Sequence, residues 1–273
     1  MTFTILGTAA AEGWPALWCP CEVCARAREL GGKDIRRRAA YQFGDRIHVD
    51  FGPDAYWQMI EFGLQYQRLE HLLITHSHQD HLDPQEFSYR STGFVVEPID
   101  TITIHGNEAV RDRLLETVQD FEKIRARFEL VVPFEPMDLG EGVTATALPA
   151  DHAKGEEPVI HLFEREERAL LQANDTGWFP DSTWRFLETW EGTLDVLVIE
   201  CTYGPRDAGR NHLGAAQVIE VRDELRKIGA LKPDARVIVT HFSHNGGWLH
   251  GQLEEHFGPQ GIEVAYDGMQ IEL

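Results

Sequence analysis

The sequence predicts an α/β fold in which sheets pack together with helices on the outside. Short apolar runs bounded by Gly, Pro, Asn or Asp dominate the middle of the chain. Helix-like stretches are interleaved with them rather than gathered at one end. The densest group of metal-ligand side chains follows one of the apolar runs directly, which places it at the end of a strand. With 273 residues and a hydrophobic fraction of 42%, the chain can bury a large core. Candidate ligands are spread from 50 to 241, so dividing the chain would cut the site, and one domain spanning 1–273 is expected.

Residues 2–7 (Thr-Phe-Thr-Ile-Leu-Gly) read as a buried strand ending at glycine, and 8–20 as irregular, broken by Gly13, Pro15 and Pro20. A short helix is expected over 22–30, then paired strands at 39–43 and 46–50 around Gly44-Asp45. Phe51-Gly52-Pro53 turns the chain into a helix near 54–63, with proline near its first position. The run 70–75 (Glu-His-Leu-Leu-Ile-Thr) is a short strand. Strands are expected at 101–105, 128–133, 142–148, 157–163 and 167–172, with a helix at 107–119. A helix at 181–190, a strand at 194–200, a helix at 214–228, a strand at 235–240, a helix at 248–256 and a strand pair within 262–273 complete the chain.

The charge balance is acidic, 25 Lys+Arg against 45 Asp+Glu for a net of −20. This counts against long nucleic acid as a partner, because phosphate neutralisation requires clustered cations. A solubilising surface or an offset by bound cations accounts for the excess. No apolar run approaches the roughly 20 residues that span a bilayer, so no membrane association is expected. Met1–Gly7 lacks a basic start and a cleavage pattern, and reads as a first strand rather than an export signal. The expected location is therefore cytoplasmic, or an organelle reached by other means.

The run His76-Ser77-His78-Gln79-Asp80-His81 carries the chemistry. Leaving a strand, side chains at i and i+2 can point the same way, so His76 and His78 can grip one ion. Asp80 and His81 then turn toward a second. Imidazole with carboxylate suits zinc, manganese or iron. The alternative is a solvated polar loop that happens to contain histidines.

This His-x-His-x-Asp-His run resembles that of the metallo-β-lactamase superfamily, and the resemblance implies a four-layer αββα sandwich with a two-metal site at one edge of its sheets. It implies further ligands in His152 of Leu148-Pro-Ala-Asp-His152, Asp175 of Asn174-Asp175-Thr-Gly177 and His241 of Val239-Thr-His241. One ion would take His76, His78 and His152, and the other Asp80, His81 and His241, with Asp175 bridging. Asp50, in Val49-Asp50-Phe-Gly52, resembles the family's early Asp, which supports the histidine loop. A water held between two divalent ions loses its proton near neutral pH. A hydrolase using that bridging hydroxide is therefore expected, with no serine or cysteine nucleophile. Cys201 follows an apolar strand and reads as a buried structural thiol.

Glu200-Cys-Thr-Tyr203 followed by His212 resembles a strand end and His-plus-helix segment of ribonuclease Z-like and phosphodiesterase branches. It implies His212 as general acid, alongside the alternative of a structural hydrogen bond at a helix start.

Cys19-x-Cys21-x-x-Cys24 places three thiols within six residues, a spacing that suggests metal more than disulfide in a reducing compartment. The N-terminal segment, from Gly7 to this cluster and Arg28, resembles phosphoribosyl cyclic phosphodiesterases of phosphonate breakdown. A related pattern occurs in pyrroloquinoline-quinone biosynthesis B proteins. The resemblance implies His244 as fourth ligand of a structural zinc. A metal-free thiol cluster, or a substrate-contacting His244, remains the alternative. Lys154, Arg206, Arg210 and the backbone of Ser243–Gly247 are candidate anion contacts.

The expected activity is hydrolysis of a small phosphodiester, open or cyclic, by two divalent ions (zinc, manganese or iron). The alternatives are an oxygen-dependent or other redox role like that of the quinone-pathway relative, and a lactone or thioester hydrolase. A homodimer is compatible with the sequence, which does not determine oligomeric state.

Overall fold

The computed structural model describes residues 1–207 and 210–273. In chain order the strands are β1 (Thr2–Gly7), β2 (Ala40–Phe43), β3 (Ile47–Val49), β4 (His71–Leu73), β5 (Ile102–Gly106), β6 (Ala126–Leu130), β7 (Pro136–Asp138), β8 (Val143–Pro149), β9 (Val159–Arg165), β10 (Arg168–Ala173), β11 (Leu194–Glu200), β12 (Leu231–Thr240), β13 (Ile262–Val264) and β14 (Met269–Glu272). The α-helices are α1 (Glu22–Leu30), α2 (Ala55–Phe62), α3 (Pro84–Ser88), α4 (Glu108–Val118), α5 (Asp181–Thr189), α6 (Ala215–Lys227) and α7 (His250–Phe257).

The strands form two seven-stranded sheets, ordered β14-β1-β2-β3-β4-β5-β6 and β13-β12-β11-β10-β9-β8-β7. Each is half antiparallel and half parallel: β3 to β6 run parallel in the first, and β10 to β13 in the second. The parallel halves follow from helical crossovers; in the antiparallel halves β2 and β3 are joined by a tight turn at Gly44, whereas β1 pairs with β14 from the other end of the chain.

Alternation along each strand decides which layer a side chain enters. In β11, Val196 and Val198 join Phe3, Tyr41, Phe43 and Phe163 between the sheets. Leu197 and Ile199 point the other way, into the layer shared with α5, α6 and α7. In β4, Leu73 enters the inter-sheet core, whereas Leu72 and Ile74 pack with Val110 and Leu114 of α4 and Phe87 of α3. Three apolar layers therefore separate four layers of secondary structure, and the expected αββα sandwich is borne out.

The departures are local. The strand expected at 128–133 lies at Ala126–Leu130, and that expected at 235–240 begins at Leu231. The latter runs past Pro233 because its pairing with β11 shifts register between Leu194 and Val196, sparing the proline a ladder donor. Two unexpected elements are the short edge strand β7, which starts at proline, and α3. The start of α3 has a recognisable signal, since Asp83 accepts a hydrogen bond from the Gln85 N–H (3.1 Å) and Pro84 follows it. Among the described residues no helix is long and apolar enough to cross a membrane.

Candidate metal centre

The polar residues singled out in the sequence sit where strands β3, β4, β8, β10, β11 and β12 end, all along one edge of the sandwich. Three of them hold left-handed backbone conformations: Asp50 (φ 61°), Asp175 (φ 49°) and His241 (φ 54°). Such a conformation is costly for a residue with a side chain and is tolerated where the surroundings impose it. Each terminates a strand and turns its side chain to the edge.

The loop after β4 is tied down from both sides. Phe51 N–H donates to the His81 carbonyl at 2.7 Å, and Asp83 N–H to the Phe51 carbonyl at 2.8 Å. Gly52 lies so close that a Cβ there would fall 1.9 Å from the Asp80 carbonyl oxygen. From the other side Glu156 accepts the Ser77 N–H and hydroxyl, each at 3.0 Å, and the Asn107 amide at 3.1 Å.

Four imidazoles use Nδ1 on a neighbour and direct Nε2 to a common centre. His81 Nδ1 donates to Asp50 at 2.7 Å, and Asp50 also accepts the Thr75 N–H and hydroxyl at 2.9 Å. His76 Nδ1 is 3.0 Å from the Thr75 hydroxyl, His152 Nδ1 donates to the Asn211 carbonyl at 3.1 Å, and His241 Nδ1 bonds the Thr202 hydroxyl at 2.9 Å. These partners select the tautomer with a free Nε2 lone pair, the form a metal requires.

The Nε2 atoms and the carboxylates converge. His76, His78 and His152 bring ligand atoms within 4.8 Å of one another, and so do Asp80, His81 and His241. Asp175 lies between the two sets. Its Oδ2 is 2.8 Å from His81 Nε2 and 3.0 Å from His241 Nε2, while Oδ1 is 3.5 Å from His152 Nε2. His76 Nε2, His81 Nε2, His241 Nε2 and Asp175 Oδ2 are all buried without a hydrogen bond. Such orphaned atoms are expensive unless something else meets them, so this donor set fits a pair of divalent cations. Burial opposes ionisation of Asp175, yet His241 and His81 outweigh it and hold the carboxyl well below the usual range. Burial likewise opposes the charged form of His81, but with no cation at the centre Asp80, Asp175 and Asp50 raise its pKa well above the ordinary value, so a metal there would take the place of a proton on Nε2.

Glu200, His212, Asp175 and His241 also bring ligand atoms within 4.8 Å. Glu200 is nevertheless consumed by the protein. Its Oε1 accepts from Thr176 N–H (2.8 Å) and His212 Nδ1 (2.9 Å), and its Oε2 from the Thr202 hydroxyl (2.6 Å) and Leu213 N–H (3.0 Å). Glu200 thus acts on His212. Burial disfavours the imidazolium, but the Glu200 charge and hydrogen bond, with Asp175 and Asp80, lift the His212 pKa to about 9. A cavity of about 290 Å³ adjoins the cluster, lined by His78, Asp80, His152, Asp175, His212 and His241 among others. A larger apolar cavity of about 430 Å³ near Phe51, Tyr66 and Phe87 contains no such ligand cluster among the described residues.

Cys19, Cys21, Cys24 and His244 form a second group with ligand atoms within 4.8 Å. Cys21 caps α1, and the Cys24 N–H donated to its sulfur (3.4 Å) is the main cause of a thiol pKa lowered to about 6. Cys21 Sγ lies 3.5 Å from His244 Nδ1. Burial instead pushes Cys24 up to about 11. Three sulfurs and one imidazole nitrogen at this separation suit tetrahedral zinc, whose ligand atoms stand about 3.8 Å apart. Burial also raises the Cys201 thiol, in keeping with a structural role.

Lys154, Arg206 and Arg210 are exposed and are not among the residues lining the cavity. Within Ser243–Gly247 the Asn245, Gly246 and Gly247 N–H groups donate to Ser243 Oγ, the Ser243 carbonyl and the His244 carbonyl, so these three are not free to hold an anion. Gly246 serves packing instead, as a Cβ there would meet the Thr202 carbonyl oxygen at 3.0 Å. Sequence reasoning missed the supporting roles of Thr75, Glu156, Glu200 and Thr202. The Glu200-x-Thr202 strand end carried a signal, whereas Glu156 had none.

A family model described as a beta-lactamase superfamily domain matches residues 45–242. Coenzyme PQQ synthesis protein B of Rhizobium meliloti (strain 1021) is 25% identical over 301 residues, covering 98% of this chain and 97% of the relative. The crystal structure of a diphosphatase of the PhnP family superposes with a TM-score of 0.73 at 22% identity, over 100% of this chain and 96% of the other. Zinc-bound PqqB of Methylobacterium extorquens superposes with a TM-score of 0.75 at 15% identity, over 100% of both chains.

Proposed function

This chain belongs to the beta-lactamase superfamily, and from that premise we propose that it is a metal-dependent hydrolase of small phosphodiesters. The observation that carries the reading is the pairing of His212 with the buried Glu200 beside Asp175, at 2.9 and 3.8 Å. Hydrolysis of an unactivated diester must protonate a departing alkoxide, and this pair holds a proton at the wall of the cavity.

Divalent ions held by His76, His78, His152, Asp80, His81, His241 and Asp175 would supply a water nucleophile ionised near neutral pH and draw off charge from the reacting oxygens. Zinc, manganese and iron all suit this donor set. The chain does the rest. Asp50, Thr75, Thr202 and the Asn211 carbonyl fix the imidazole orientations, sparing reorganisation during reaction. Glu200 keeps Nδ1 of His212 protonated, and Nε2 is the position from which a proton can pass to the leaving group. A cavity of about 290 Å³ favours a small substrate over a polymer. The Cys19, Cys21, Cys24 and His244 group would hold a structural zinc pinning the N-terminal loop to the loop after β12.

The test is a screen of metal-loaded protein against bis-p-nitrophenyl phosphate, 2′,3′-cyclic nucleotides, lactones and thioesters. Phosphodiester turnover that disappears on chelation is the expected result. Turnover confined to lactones or thioesters, or undiminished activity after metal removal, overturns the proposal. A second reading, a role in coenzyme PQQ synthesis, is favoured by the end-to-end similarity to the Rhizobium meliloti protein. Oxygen consumption by iron-loaded protein, with no hydrolysis of any diester, would select it.

A further inference from the structure

One carboxylate at the cavity takes no part in the converging ligand groups. Glu12 lies in the loop between β1 and α1, and it is absent from every cluster of ligand atoms among the described residues. It is a built feature rather than a loose surface acid. Its Oε1 accepts a short hydrogen bond from the Ser243 hydroxyl and lies 3.5 Å from His244 Nε2. Both partners follow His241 closely in sequence, so the candidate structural zinc site and the end of β12 together position this side chain. Its Oε2 has no hydrogen bond among the described residues. Glu12 lines the 290 Å³ cavity with Asp80, Asp175 and His212, and no lysine or arginine is among the described residues lining that cavity.

The charge arithmetic of hydrolysis gives this placement meaning. A phosphodiester carries one negative charge at neutral pH. When water adds and the P–O bond to the alcohol breaks, one water proton goes to the departing alkoxide. The other remains on the new monoester, whose second pKa lies near 6. The product therefore becomes largely a dianion at pH 7. A fixed carboxylate beside the cavity repels each negative charge in turn, so a dianion meets about twice the penalty of a monoanion.

We propose that Glu12 is a specificity-determining residue that admits a singly charged phosphodiester and rejects groups carrying two or more phosphate charges, the monoester product included. The proposal rests on the phosphodiesterase reading, but its test separates the two. Metal-loaded wild type, Glu12→Gln and Glu12→Asp are titrated with inorganic phosphate by calorimetry, with metal content measured on each. Glu12→Gln keeps the acceptor for Ser243 and loses only the charge, so phosphate should bind it about tenfold more tightly than wild type. Glu12→Asp, which keeps the charge, should bind phosphate as weakly as wild type. In parallel, the ratio of kcat/KM for bis-p-nitrophenyl phosphate over p-nitrophenyl phosphate should fall about tenfold in Glu12→Gln. Equal phosphate affinity in wild type and Glu12→Gln, or a Glu12→Asp protein that binds as tightly as Glu12→Gln, overturns the proposal. If wild type hydrolyses no diester, the phosphodiesterase reading falls by itself, and the phosphate titration still decides the role of Glu12.

Discussion

His212 Nδ1 donates to Glu200 Oε1 at 2.9 Å, and the same carboxylate is fixed by the Thr176 and Leu213 N–H groups. Glu200 is fully buried, whereas the His212 side chain keeps 19% of its surface exposed. One end of the pair is therefore anchored in the second sheet and the other reaches the cavity. This arrangement needs two contributors: β11 supplies the acid, and the segment before α6 supplies the imidazole.

If His212 protonates the leaving group, its importance scales with how poor that group is. His212→Ala should lose about 10²–10⁴-fold in kcat on a diester with an alkyl leaving group. It should lose much less on bis-p-nitrophenyl phosphate, whose phenolate departs without help. Steady-state kinetics on the two substrates checks this. Equal losses on both would assign His212 to positioning.

Asp50 touches His81 rather than the converging centre, so its effect should pass through metal affinity. Asp50→Asn keeps the shape and weakens the orientation of His81 Nδ1. Metal affinity should fall about 10–100-fold, with activity restored at high metal concentration. Competition with a chromogenic chelator measures the affinity, and unchanged binding would separate Asp50 from the site.

The two ligand groups should load independently. Metal analysis of wild type should find about three ions per chain, two at the strand-edge centre and one among the thiols. Cys21→Ser should lose about one ion and melt at a lower temperature, yet keep the two ions bound by imidazole and carboxylate. Two ions in fully loaded wild type would remove the thiol site.

How much of this was legible in the chain depends on where the information lies. His76, His78, Asp80 and His81 are local to six residues, and an apolar strand precedes them, so pattern alone exposes them. His152, Asp175 and His241 each stand alone after a strand, and only resemblance to a family gathered them. Glu12, Glu156 and Glu200 are three among 45 acidic residues, and apart from the strand end that carries Glu200 nothing local distinguishes them from carboxylates in solvent. What sets them apart is a pairing across 231, 79 or 12 residues, to Ser243, Ser77 and His212 respectively. The strand and helix pattern was easier because burial imposes a period on the sequence. It failed at α3, whose five residues are too few to show a helical period, and at β7, a three-residue edge strand that starts at proline and exposes two of its residues.

The core itself carries a pH dependence separate from the metal centre. His48 and His161 are fully buried, and burial lowers their pKa values to about 3 and about 4. An unfolded chain protonates both near 6.5. Because the folded-state values are depressed, the folded protein stays neutral there while the unfolded chain takes up protons below pH 6.5. Stability is thus fully present above 6.5 and falls as pH drops toward 4. Each histidine contributes a slope of about 1.4 kcal/mol per pH unit, so two units cost on the order of 5 kcal/mol for the pair. Loss of metals adds a further acid dependence, so the comparison is made against a variant. The double variant His48→Asn, His161→Asn removes both titrating groups. The amide introduced at the first position can keep a partner in Gln42, whose Oε1 lies 3.2 Å from His48 Nδ1. The variant should be less stable at neutral pH yet lose stability with a shallower slope between pH 6.5 and 4.5. Urea unfolding at several pH values measures both slopes, and parallel curves for wild type and variant would mean that these imidazoles titrate alike in the folded and unfolded chains.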